Sequence, residues 1–249
     1  MQKQIVITGA ASGLGKSLAE NAIKQGYQLW LIDKNPELSQ VAFALKAQFL
    51  VIDLAESGAA DAVFKWAGTA NVLINNAGIA SRGIFDEISL SAIESMLGVN
   101  IVQPTLLAHL FLHKWKTENI QSCLVNISSS ASYFPTPGLG PYGASKSYCT
   151  SLSLSLIEEY KDNKCINVLG ILPTGINTNF QKNSGVKKSD NEKLLDPNDI
   201  ALIVLKNIEN KQSKIIHIGV LNWIFMCLQF FLPYKYYSSI VALLLNKTR

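Results

Sequence analysis

The chain has 249 residues, 48% of them hydrophobic and 16% charged, with a formal net charge of +4. That composition excludes a disordered or fibrous chain, and the length fits one α/β domain able to bury a good core. The lysines are too dispersed to track a phosphate backbone, which argues against a nucleic-acid partner.

Four cysteines, Cys123, Cys149, Cys165 and Cys227, form no CxxC pair and have no histidines at ligand spacing, so no metal site is expected. They read as reduced packing residues. The N-terminus passes from MQKQ straight into IVITGA, without a signal peptide's apolar region and cleavage site, so a cytoplasmic location is expected.

Along the chain, short apolar runs alternate with helix-length segments. The runs are QIVIT (4–8), LWLID (29–33), QFLVID (48–53), NVLIN (71–75), SCLVNIS (122–128), INVLGIL (166–172) and KIIHI (214–218). Their continuity, rather than alternation, is that of strands buried on both faces. Helical segments such as Leu14–Gln25 and Ala59–Ala67 lie between them. The rhythm predicts a single-domain Rossmann-like α/β fold over residues 1–219, a doubly wound sheet of seven mostly parallel strands flanked by helices. Two segments stand outside it: the polar loop QKNSGVKKSDNEK (181–193), expected to be a mobile surface excursion, and the apolar extension 220–249.

After the first run comes TGAASGLG, with Gly9, Ser12, Gly13, Leu14 and Gly15 leading into a helix. Glycines permit a tight turn and close backbone approach, and the helix N-terminus offers free N–H groups to a pyrophosphate. Asp33 ends the second run 20 residues after Gly13. A carboxylate there can accept hydrogen bonds from the adenosine ribose hydroxyls and would repel a 2′-phosphate, which favours NAD over NADP. Lys34 pulls the other way, as a cation that could partner such a phosphate.

Further motifs follow in order: Asp53–Leu54, NNAG at Asn75–Gly78, Asn100, NISSS at 126–130, and YGASK at Tyr142–Lys146. With TGAASGLG, this series resembles the short-chain dehydrogenase/reductase family, in its single-domain form, over nearly all of residues 4–219. The resemblance implies an NAD(P)-dependent oxidoreductase acting on an alcohol or ketone, as a homodimer or homotetramer. It implies cofactor contacts from the glycine turn, Asp53, Leu54, Asn76, Ala77, Gly78, Tyr142 and Lys146. It also implies a catalytic set of Asn100, Ser129, Tyr142 and Lys146, in which Lys146 holds the nicotinamide ribose and Asn100 keeps a water linking Lys146 to solvent.

A second Tyr–Lys pair, Tyr160 and Lys164, has the same spacing, and each tyrosine has a serine 13 residues upstream, Ser129 or Ser147. Geometry separates them. Ser147 and Tyr160 fall in one predicted helix, where 13 residues at 1.5 Å rise place them roughly 20 Å apart. Ser129 ends a strand, and SASYFPTPGLGP after it has the prolines and glycines to fold the chain back to Tyr142. The residue types suit proton transfer coupled to hydride transfer. Lys146, one helical turn on, favours the phenolate of Tyr142, and Ser129 donates to the substrate oxygen.

After the sixth run, LPTGINTNF departs from the family's Pro-Gly, since Thr174 stands in the glycine's place and Gly175 follows it. The resemblance still assigns carboxamide and cofactor contacts to Pro173, Ile176 and Thr178. The substrate pocket is expected between Ser81–Phe85, Ser130–Phe134 and the 179–196 loop, where Tyr133, Phe134 and Phe180 suggest an apolar alcohol or ketone. The extension VLNWIFMCLQFFL (220–232) is too short to span a bilayer, which leaves a pocket cover, a dimer contact or a peripheral membrane contact. The competing function is a catalytically silent NAD(P)-binding sensor or scaffold.

Overall fold

Strand β1 (Gln4–Thr8) is apolar at successive positions because both of its faces are covered. Ile5 and Ile7 point into one core layer and Val6 into the other. The same holds for β2 (Gln28–Asp33), β4 (Val72–Asn75), β5 (Ser122–Ile127) and β6 (Ile166–Pro173), while β3 (Gln48–Val51) and β7 (Lys214–Ile218) close the two edges with partly buried side chains. The computed structural model describes residues 3–180, 184, 194–219, 231 and 236. The loop 181–193, apart from Ser184, and the extension 220–249, apart from Phe231 and Tyr236, lie outside the described residues.

The seven strands form one sheet in the order β3-β2-β1-β4-β5-β6-β7, and every pairing is parallel. Register places Ile5 beside both Leu29 and Val72, and Asn75 beside Asn126. On one face lie α1 (Gly13–Lys24), α2 (Leu38–Leu45) and α7 (Pro197–Glu209), burying Leu18, Leu38, Ile200 and Val204 against Ile5, Leu31 and Ile171. On the other face lie α3 (Ala59–Ala67) and α5 (Gln103–Thr117), burying Val63, Leu107, Phe111 and Trp115 against Val6, Leu73 and Leu124. The remaining helices are α4 (Leu90–Leu97), which leads towards α5, and α6 (Gly140–Glu159), which packs on β5 and β6 and against α4.

The helical stretch Leu90–Thr117 is long and apolar enough to cross a membrane by composition alone. Its apolarity has a local cause: Phe111 and Trp115 are fully buried on the sheet, and the Trp115 indole donates to the Ala70 carbonyl at 2.8 Å. Between α4 and α5 the helix widens into a π turn at Gly98–Val102. Pro104 supplies the reason, since it has no N–H to give the Asn100 carbonyl and the hydrogen-bond ladder breaks there. Asn100 sits in this widened turn.

Because β1 leads to β2 on one side while β4 pairs on the other, the chain reverses direction across the sheet at β1 and β4. A crevice opens there beyond the carboxyl ends of the strands.

Candidate active site

The crevice is a cleft of about 610 Å³, running from Asp33, Lys34 and Asp53 at one end to Tyr142, Lys146 and Phe180 at the other. Of the residues singled out from sequence, Gly9, Ser12, Gly13, Leu14, Asp33, Asp53, Leu54, Asn76, Ala77, Gly78, Ser129, Tyr142, Lys146, Pro173, Ile176 and Thr178 line it. Gly15 and Asn100 stand behind its wall rather than on it.

Gly15 acts through what it lacks. A Cβ there would lie 2.0 Å from the Gly9 carbonyl oxygen, so the turn and the helix can approach only with glycine. Gly9 and Gly13 adopt positive φ of 69° and 53°, conformations that side chains disfavour. Ser12 precedes α1 without a side-chain cap, which leaves the first-turn N–H groups facing the cleft unshielded. An anion such as a pyrophosphate fits this cradle by both space and dipole.

Asn76 holds the turn in place. Its amide donates to the carbonyls of Thr8 at 2.8 Å and Gly9 at 3.3 Å. Thr8 answers by accepting from the backbone N–H groups of Asn76 and Ala77, both at 3.0 Å. Thr8 was not singled out from sequence, although its place directly before Gly9 is the signal that would have found it. Asp33 uses one carboxylate oxygen to accept from Ala11 N–H at 2.9 Å and the other to accept from Asn35 N–H at 3.0 Å. Each oxygen keeps a second acceptor site for a ligand hydroxyl. Asp53 lies two residues past β3, accepts from Ala55 N–H at 2.9 Å, and pairs with Lys34 at 3.7 Å.

At the opposite end, the chain returns after Ser129 through a short 3-10 turn at Ser130–Ser132 and enters α6, whose first turn carries Tyr142. The Ser129 hydroxyl accepts from Ala131 N–H at 3.2 Å and lies near enough to the Tyr142 phenol to favour its ionised form. Tyr142 is otherwise shielded, and burial pushes its phenol up to about 12, with the Ser129 hydroxyl pulling it back down. Lys146 is buried too, which lowers its ammonium below the usual lysine range. Its Nζ donates to the Ile127 carbonyl at 2.9 Å and sits 5.8 Å from the centre of the Tyr142 ring.

Groups not identified from sequence fix this lysine. Ser128 donates to the Lys146 carbonyl at 2.8 Å and lies 2.7 Å from the Thr150 hydroxyl, so the end of β5 and α6 are clamped from both directions. Asn100 accepts from Ile79 N–H at 2.9 Å and donates to the Ile79 carbonyl at 2.9 Å and to Ser145 at 3.0 Å. A Cβ on Gly78 would fall 3.4 Å from Lys146 Nζ and 3.5 Å from Asn100 Oδ1. The missing side chain therefore keeps open the space between ammonium and amide.

The second tyrosine goes elsewhere. Tyr160 follows the last residue of α6 and packs against the core beneath α3 and α5, while the Ser147 hydroxyl donates to the carbonyls of Ser132 and Gly143. Tyr133 and Phe134, expected at the substrate pocket, are not among the cleft-lining residues. Tyr133 stacks on His217 of β7, with ring centres 5.6 Å apart. Phe180 does line the cleft and lies 5.6 Å from the Tyr142 ring centre. The altered turn at Thr174 is accommodated by another glycine: Gly219 has a positive φ of 104°, and a Cβ there would meet the Thr174 hydroxyl at 2.4 Å. Thr178 lies against Gly13, where an added Cβ would sit 3.0 Å from its methyl group. Among the described residues, no group of three or more histidine, cysteine or acidic side chains is placed to hold a metal.

Comparison with known proteins agrees with this architecture. Residues 3–189 match the family model of the short chain dehydrogenases. A very-long-chain 3-oxoacyl-CoA reductase of Anas platyrhynchos is 32% identical over 191 residues, covering 71% of this chain and 61% of that one. The chain spans 55–61% of the length of three such curated relatives. A short-chain dehydrogenase from Sphingobium yanoikuyae in complex with NADPH superposes with a TM-score of 0.81 at 24% identity, covering 93% of this chain and 96% of that one. A short chain dehydrogenase/reductase from Burkholderia phymatum in complex with NAD gives a TM-score of 0.75 at 22% identity, covering 86% and 88%.

Proposed function

The chain belongs to the short-chain dehydrogenase family, and on that premise we propose that it is an NAD(P)-dependent oxidoreductase interconverting a secondary alcohol and a ketone, with Tyr142 as general acid/base. The observation that carries this reading is one cleft with two ends. An anion cradle and the Asp33 carboxylate occupy the first, and Ser129 and Tyr142, with Lys146 nearby, occupy the second.

When bound, the dinucleotide would supply or accept the hydride at the carbinol carbon. The glycine turn and the α1 N-terminus would hold its pyrophosphate, Asp33 its adenosine ribose, and Asp53 and Leu54 the adenine side. Ile176, Thr178 and Pro173 would meet the nicotinamide end.

The chain's own residues handle the proton. Ser129 would orient the substrate oxygen beside the Tyr142 phenol, its acceptor side being occupied by Ala131 N–H. Tyr142 would give a proton to that oxygen during reduction and take one during oxidation. A phenol held protonated by burial is ready for the first role. For the second, the Lys146 charge must favour the phenolate, and Lys146 can lose or regain its own proton through water held in the space beside Gly78 and Asn100. The Phe180 ring against Tyr142 suits an apolar substituent on the substrate.

Two carboxylates at the adenosine end, Asp33 and Asp53, favour NAD over NADP in this reading. Exposed Val102 at the end of the π turn and Leu106 on α5, with Tyr148 and Leu154 on α6, favour a homo-oligomer. Light scattering should then find Leu106→Glu smaller than the parent protein.

The decisive experiment sets Tyr142→Phe beside Tyr160→Phe, assayed by nicotinamide absorbance over a panel of alcohols and ketones. Tyr142→Phe is expected to lower turnover by about 10²–10⁴-fold and Tyr160→Phe to leave it nearly unchanged. The opposite pattern would overturn the assignment. Nucleotide binding without turnover in the parent chain would point to the sensor or scaffold instead.

A further inference from the structure

The adenosine end of the cleft carries three charges on two neighbouring strand ends. Asp33 and Lys34 are consecutive at the end of β2, and Asp53 follows β3. Asp33 is fixed by two backbone N–H groups. Lys34 is not fixed that way: its ammonium reaches across the strand gap to Asp53 Oδ2 at 3.7 Å, with the lysine side chain 59% exposed and the aspartate 33%. Among the described residues, the cations lining the cleft are Lys34 and Lys146, and Lys146 is bound to the Ile127 carbonyl at the opposite end.

We infer that Asp53 and Lys34 form a charge couple that sets the discrimination between a free ribose 2′-hydroxyl and a 2′-phosphate, by holding the Lys34 ammonium away from the ribose edge. This rests on the dinucleotide reading of the cleft and adds a residue pair to it. The pair works through competition. A 2′-phosphate must draw Lys34 from Asp53 while facing Asp33 and Asp53, whereas a 2′-hydroxyl needs only the Asp33 carboxylate. Neutralising Asp53 then acts twice, by removing one repelling charge and by releasing the compensating one. A pair this exposed is well screened, so the effect is modest: about 3–10-fold in relative affinity.

The test needs no turnover. Calorimetric titrations with 5′-AMP and 2′,5′-ADP, at low ionic strength, would be run on the parent chain, Asp53→Asn, Lys34→Met and the double variant. Asparagine keeps an oxygen to accept from Ala55 N–H, and Lys34 is too exposed for its loss to unfold the chain. Asp53→Asn should shift the affinity ratio toward 2′,5′-ADP by about 3–10-fold. Lys34→Met should shift it the other way, and the gain from Asp53→Asn should shrink in the Lys34→Met background. An Asp53→Asn shift below about twofold, or one equally large with Lys34 absent, overturns the couple. Failure of the parent chain to bind either nucleotide would overturn the dinucleotide reading along with it. Turnover surviving in Tyr142→Phe would overturn the acid/base assignment of Tyr142 alone and leave these ratios standing.

Discussion

Gly15→Ala is the sharpest test of the cradle, because the cost can be read from distances. The added Cβ would land 2.0 Å from the Gly9 carbonyl oxygen, 2.7 Å from the Gly9 carbonyl carbon and 2.8 Å from the Asn76 amide nitrogen. Ordinary contact begins at 3.4 Å, so the turn must retreat by more than an ångström. Neither obstacle is a flexible side-chain tip: the carbonyl is backbone, and the Asn76 amide is committed to Thr8 and Gly9. Overpacking of this kind costs about 1–3 kcal/mol. In a domain of this size that lowers Tm by roughly 2–12 °C. The displaced turn should also bind nucleotide poorly, so the thermal shift given by saturating 5′-AMP should largely vanish. Gly140→Ala is the control, since a Cβ there meets nothing within 4 Å. Sitting in the first turn of α6, it should be neutral or stabilise by up to about 1 kcal/mol. The reasoning is refuted if Gly15→Ala melts with the parent chain and keeps its nucleotide shift, or if Gly140→Ala falls as far.

A methyl group on Gly78 would make ordinary contacts with Lys146 Nζ and Asn100 Oδ1. Gly78→Ala should therefore keep its Tm within a few degrees and its 5′-AMP affinity, yet lose about tenfold or more in turnover as the proton path closes. Full turnover would sink the role given to that space. Tyr142 also makes a prediction about stability. Its folded value of about 12 lies above the ordinary 10, so the folded state holds the proton more tightly. The stabilisation is complete below pH 10 and is lost as pH rises through 12, amounting to about 3 kcal/mol. Denaturant melts of the parent chain and Tyr142→Phe should show the parent losing stability more steeply between pH 10 and 12, and parallel curves would refute it.

The sheet was legible in the sequence because parallel strands covered on both faces are written as unbroken apolar runs, and QIVIT or SCLVNIS can be little else. The ends were less so: β3 stops at Val51, leaving Asp53 on a loop, because pairing with β2 ends there. The separation of Ser147 from Tyr160 was also readable, since helix rise keeps them apart whatever the tertiary fold. Other features needed the tertiary structure. The π turn around Asn100 was signalled only by Pro104, and its consequence depends on Ile79 and Ser145, which are 21 and 45 residues away from Asn100. The Lys34–Asp53 pair, the Ser128 clamp on α6, the space beside Gly78 and the fit of Thr174 against Gly219 join residues from different strand ends and loops. Local pattern reports which face of an element is buried. Which polar groups meet across two elements is set by sheet order and register, and those are decided only when the whole chain packs.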